Sequence, residues 1–242
     1  MKRQAFTLVE MLTVIAIISV LATLLLTGLA SAKAQAQASS CRNNLGQIAK
    51  ALALYTADFG EYPGTRDLPS QLPPGGADDW EDIWSYRLLP YVSAERSIFN
   101  CPMDPTPHVL SYYSLTNFSY GYNAYGSGIP PNTLNLGLGH VQAPGSEMPT
   151  PILAVTEAQV IAPSDMIAIG DLNDIDSVFT VTIWPVSVAP YAGGPAARHN
   201  GGANMVFCDG HAEFGKQKSW IEETDVARRR WNNDHEPHRE TW

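Results

Sequence analysis

Hydrophobic and polar positions divide the chain into two unequal parts. From Met11 to Ala32 there are 22 residues with no charge and no proline. At about 1.5 Å per residue a helix of that length spans roughly 33 Å, enough to cross a bilayer core. Beyond Ala32 the sequence turns polar but keeps strong helix formers, and Leu45, Ile48, Ala49, Leu52, Tyr55 and Phe59 recur at three- and four-residue steps. That pattern predicts the same helix continuing to Phe59 with one apolar stripe, stopped by Gly60 and Pro63. Gly60 to Ala77 reads as loop, and Asp79 to Leu89 as a short helix with Trp80, Ile83, Trp84 and Leu88 on one face, ended by Pro90. Apolar runs at Pro151–Val155, Met166–Gly170 and Val178–Trp184 read as strands. Ala203–Phe207 and His211–Phe214 flank Asp209-Gly210, the signature of a tight hairpin turn. Ser219 to Trp231 reads as a final helix.

Charge sharpens this picture. Lys2 and Arg3 precede the apolar run, whereas the long remainder is acidic and the whole chain carries a net charge of −9. The positive-inside tendency therefore places the remainder outside the cytoplasmic membrane, and no basic stripe is left for nucleic acid. The 19 glycines and 18 prolines suggest a loop-rich domain. Three cysteines, Cys41, Cys101 and Cys208, allow one intramolecular disulfide with one thiol left over, and the sequence does not select the pair. Glu10 is a carboxylate just inside the apolar run, a costly position that calls for a partner or a task.

Ala5-Phe6-Thr7-Leu8-Val9-Glu10 followed by the hydrophobic helix resembles the N-terminus of type IV pilins and type II secretion pseudopilins. The resemblance implies a leader, residues 1–5, removed by prepilin peptidase after Ala5, and an N-methylated Phe6 as first mature residue. It implies that Glu10 acts with Phe6 in assembly. Ala5 stands where the family usually has glycine, and Thr27 where many relatives carry a proline that kinks the helix. Further signposts resemble one pseudopilin subgroup: Cys41-Arg42-Asn43-Asn44-Leu45, Phe99-Asn100-Cys101-Pro102-Met103-Asp104, and Ser119-Tyr120-Gly121-Tyr122-Asn123. That subgroup ends in a histidine followed, after nine residues, by Asp-Gly, here His199 and Asp209-Gly210.

The implied fold is α+β and pilin-like. Residues 6–32 would form a transmembrane helix and residues 33–59 its extramembrane continuation, packed on an antiparallel sheet within a globular part at 60–242. The implied role is a non-enzymatic subunit of a type II secretion or type IV pilus-like fibre. The chain would cross the inner membrane once, with its domain on the periplasmic side. Its partners would be other pilin or pseudopilin subunits, prepilin peptidase and an assembly platform. The alternatives are an ordinary signal anchor, an adhesive minor pilin using Trp80 and Trp84, and a membrane-anchored metalloenzyme.

Two constellations invite chemistry. His199, Asp209 and His211 form a candidate transition-metal set. The preferred reading is structural, with Asp209 stabilising its own turn around Gly210 and His199 hydrogen-bonding across the hairpin. Asp171, Asn173, Asp174 and Asp176 begin like a calcium loop but lack the glycine and distal glutamate of an EF-hand, so a solvated acidic turn is preferred. There is no HExxH, phosphate loop or Cys-x-x-Cys.

Overall fold

The computed structural model describes residues 7–64, 83–93, 95–104, 119–127, 136–139, 155–173, 183, 185 and 193–241. Pro151 to Ala154 and most of Val178–Trp184, two of the expected strands, lie outside the described residues, as do Ala5, Phe6 and Trp80.

Helix α1 runs from Leu8 to Phe59, 52 residues or about 78 Å at the standard rise, and passes through Gly28 without interruption. Its start is fixed by a capping box. The Glu10 amide donates to Thr7 Oγ1 at 3.3 Å, and Glu10 Oε2 accepts from the Thr7 amide at 2.8 Å. Its end is fixed by Gly60, whose φ of 72° is the left-handed conformation that glycine adopts without a steric cost.

The two halves of α1 have opposite surroundings. Large apolar side chains from Leu8 to Leu29 are all exposed. From Cys41 onward one face is buried, with Cys41, Leu45, Ile48, Leu52 and Tyr55 each at most 2% exposed. These positions recur every three or four residues and so form the stripe that the polarity pattern predicts. Phe59 departs from it. It is 59% exposed and packs on Tyr55 with ring centroids 4.6 Å apart.

Four antiparallel strands form a simple meander in chain order: β1 (Tyr120–Tyr122), β2 (Ile167–Asp171), β3 (Gly202–Phe207) and β4 (Ala212–Lys216). The β3–β4 turn is closed at Gly210, with φ 88°, and Asp209 Oδ1 accepts from the His211 amide at 3.0 Å. Strand β1 was legible only as part of a tyrosine-rich motif, since three residues are too short to show alternation. All six residues of β3 are buried because the strand is covered on both faces. Val206 meets the α1 core, while Ala203, Met205 and Phe207 meet a second cluster with Trp220 and Trp231. A bulge between Ile167 and Ile169 shifts the facing of β2 in the same way, so Ile167 joins the second cluster and Ile169 the first.

The expected C-terminal helix is broken in two, α3 (Gln217–Ile221) and α4 (Asp225–Arg229). Thr224 restarts the second piece, its side chain accepting from the Ala227 amide at 3.2 Å, a capping role that competes with helix continuation. The short helix before Pro90, α2, covers Ile83–Leu88. Its Trp84 is fully buried, stacked on Tyr122 at 5.4 Å and edge-on to Phe99 at 5.7 Å. Trp84 is therefore core and offers no exposed sugar-stacking face.

A disulfide joins Cys41 of α1 to Cys101, across 60 residues of sequence. Closing a loop of that size in the unfolded chain stabilises the fold by about 4 kcal/mol on a chain-entropy estimate. Cys41→Ser should therefore lower the melting temperature by several degrees or more, read as loss of circular dichroism on heating the full chain in detergent. An unchanged melting temperature would show that the bond does not restrain the fold.

Candidate functional site: a buried cluster where the helix leaves the domain

Four separated sequence segments meet at one place. The helix supplies Gln37, Cys41 and Asn44, spaced four and three residues apart and so aligned on one face. Opposite them run residues 100–102. Gln37 Nε2 donates to the Pro102 carbonyl at 3.0 Å and Asn44 Nδ2 to the Asn100 carbonyl at 3.0 Å, with the Cys41–Cys101 disulfide between them. From β1, the Tyr120 hydroxyl donates to the Cys41 carbonyl at 3.2 Å, and Ser119 Oγ accepts from the Cys101 amide at 2.8 Å. The third support is Arg198, which pairs with Asp104 at 2.7 Å and donates to the carbonyls of Leu172 and Ser119.

Beneath the disulfide lies a buried polar cluster. His199 Nε2 is 3.6 Å from Cys101 Sγ and 3.2 Å from Asp171 Oδ2. Asp171, at the end of β2 and fully buried, also accepts from the Asn204 amide at 2.7 Å and from Asn204 Nδ2 at 2.8 Å. Two atoms of the cluster are left over: His199 Nδ1 and Asp171 Oδ1 are buried without a hydrogen-bond partner. Such orphans are costly in a low-dielectric interior.

The candidate metal set of His199, Asp209 and His211 is not assembled. His199 precedes β3 and Asp209 follows it, so a six-residue strand, about 20 Å long, separates them. His199 therefore does not hydrogen-bond across the hairpin but reaches back to Asp171. Asp209 instead holds its own turn and contacts the His211 ring at 2.6 Å, in a partly exposed pair. The His211 ring lies flat on Phe207, with centroids 4.3 Å apart. Asp171 cannot serve a surface calcium loop either, since its carboxylate turns inward. Asn173 is exposed and its amide donates to the Gly194 carbonyl at 2.8 Å, while Asp174 and Asp176 lie outside the described residues. The third cysteine, Cys208, is free and half-buried beside Tyr62, and burial pushes its thiol well above the usual range.

Sequence reading missed Asp171 as the partner of His199 and Asn204 as the partner of Asp171. Asn204 sits at an alternate position in a strand of apolar residues, a polar intrusion that signals a buried partner. Glu10, at the other end of α1, is the third residue of the capping box and lies at the surface of the chain.

Asp171→Asn tests the cluster. The amide keeps an oxygen for Asn204 at the Oδ2 position, but it loses the charge beside His199 and buries an NH2 group where Oδ1 now has no partner. The expected cost is about 2–3 kcal/mol, read as a lower denaturant midpoint with an unchanged slope. A midpoint equal to wild type would show that Asp171 carries no structural load.

Comparison with known families follows the same division of the chain. Residues 1–26 match the prokaryotic N-terminal methylation motif. Residues 30–96 match a protein family of unknown function, DUF1559, and so include the Cys41 segment of the cluster. No curated protein and no solved structure matches the chain. The chain thus carries the N-terminal methylation signal of type IV pilins and pseudopilins, joined to a DUF1559 segment and folded in a pilin-like α+β arrangement.

Proposed function

We propose that this chain is a membrane-inserted structural subunit of a type II secretion or type IV pilus-like fibre, and that it is not an enzyme. The observation that carries the reading is the first half of α1. Over roughly 20 residues every large apolar side chain faces outward, and the folded domain covers none of them. A soluble protein does not leave an apolar surface of that extent open, so its natural environments are a bilayer and the apolar core of a helical fibre. One helix serves both in turn, first as an inner-membrane anchor with the domain on the periplasmic side, then as a strand of the fibre core beside other pilin-like subunits.

Prepilin peptidase would release Phe6, giving an amine about one helical turn from Glu10. In the single chain Glu10 satisfies the helix start through Thr7. In a fibre, its charge is available to the Phe6 amine of a neighbouring subunit. Breaking a buried pair of that kind costs about 3–5 kcal/mol, a hundredfold or more in an association equilibrium.

Glutamine at the third helical position also completes a capping box, so Glu10→Gln removes the charge while keeping the helix start. The variant should insert and be cleaved normally yet lose at least tenfold in fibre incorporation, measured by sheared-fibre yield and immunoblot. Wild-type incorporation would show that Glu10 is not the assembly contact. Intact-mass analysis of native membranes gives the companion test. A mature chain that begins at Phe6 with one added methyl group is expected, and a chain that begins at Met1 or is cut beyond Ala32 would remove the pilin reading.

A further inference from the structure

We propose that the cluster under α1 is a zinc site when Cys41 and Cys101 are reduced, with His199 as third protein ligand. Cys41 Sγ, Cys101 Sγ and a His199 ring nitrogen lie within 4.8 Å of one another, and all three residues are buried. This set shares only His199 with the hairpin histidine–aspartate pair, and it is assembled from the helix, the 100–104 segment and the loop before β3.

One separation already matches a tetrahedral centre, and the two sulfurs, joined in the disulfide, move apart to roughly 3.8 Å when the bond is reduced and the metal enters. With Zn–S near 2.3 Å and Zn–N near 2.0 Å, a tetrahedron puts sulfur and nitrogen roughly 3.5 Å apart. The observed separation of Cys101 Sγ and His199 Nε2 is 3.6 Å. The orphaned atoms supply the second observation. Asp171 Oδ1 has no partner, so the carboxylate holds spare lone pairs inside the cluster. The unpartnered His199 Nδ1 takes up the ring proton when Nε2 turns to the metal. Two thiolates with an imidazole form a set that favours zinc over calcium or magnesium, whose ligands are oxygens.

The chemistry balances without a bound reductant, because the chain is synthesised with both cysteines as thiols. Binding converts Zn²⁺ and two thiols into a zinc dithiolate and two released protons. Later oxidation by a disulfide-bearing exchange partner removes two electrons, forms the sulfur–sulfur bond and expels the metal. The same two residues thus tie α1 to the domain in both states, first through the metal and then through the covalent bond.

The full chain in detergent, reduced with a phosphine and desalted without oxygen, is loaded with zinc alone. About one zinc per chain should be retained, and the phosphine-free reduced protein should bind cobalt with a thiolate-to-metal charge-transfer band. Zinc should also slow alkylation of Cys41 and Cys101 at least tenfold, measured by peptide mass spectrometry, without protecting Cys208 to the same degree. His199→Ala and, independently, Cys41→Ser should each weaken zinc retention at least tenfold. Cys208→Ser should retain it. Failure of the reduced wild-type protein to hold zinc, or equal retention in the oxidised protein, would overturn the proposal. So would full retention in His199→Ala. Because the wild-type cobalt spectrum and alkylation rates stand alone, the test survives a variant that does not fold.

Discussion

The link between Cys41 and Cys101 is the constraint on which the rest of the arrangement depends. Helix α1 leaves its domain at about Gln37, and the side chains described before it are exposed. Some 29 residues, or about 44 Å of helix, project from that point, so any sideways force on the far end acts through a long lever. The fold answers with a covalent bond at the exit, flanked by the Gln37 and Asn44 side-chain bonds to the 100–102 backbone. Moving the clamp two turns further along the helix would leave its first packed residues unsupported. Moving it toward the N-terminus would carry polar groups into the segment that must stay apolar.

The buried His199–Asp171–Asn204 cluster works from below. Asp171 binds β2 to β3 through Asn204, and His199 binds the loop before β3 to the disulfide. Helix, sheet and the 100–104 segment therefore meet at one buried polar point. On the far side of the sheet, Trp220 and Trp231 close a second cluster, and the Trp231 indole donates to the Trp220 carbonyl at 3.0 Å. That cluster anchors the C-terminal segment independently of α1, so the sheet is held from both faces while only one face answers to the helix.

Much of this was legible in the residues. Length and lack of charge gave the apolar half of α1, period-3.6 spacing gave its packed stripe, and Asp209-Gly210 marked the hairpin, because each is a local property of sequence. The site was only half legible. The motif residues Cys41, Cys101, Tyr120 and His199 were singled out, but their convergence depends on contacts 60 to nearly 160 residues apart in sequence. Spacing therefore suggested the wrong partner for His199. Asp209 is ten residues away in the chain, yet an intervening strand holds the two at opposite ends. Asp171, read as the start of an acidic surface loop, lies instead at the inner end of a strand, where its neighbours in space are on β3. Thr224 broke the last helix because a side-chain cap overrode good helical propensity on either side.

The most direct test of the clamp is amide hydrogen exchange of the full chain, comparing wild type with Cys101→Ser. If the four segments form one cooperative unit, loss of the bond raises exchange together in residues 37–45, 119–123 and 198–204, while the Trp220–Trp231 segment keeps its protection. Faster exchange confined to the residues next to Cys41 and Cys101 would contradict the account, since it would show the disulfide as a local ornament on a fold held by other means.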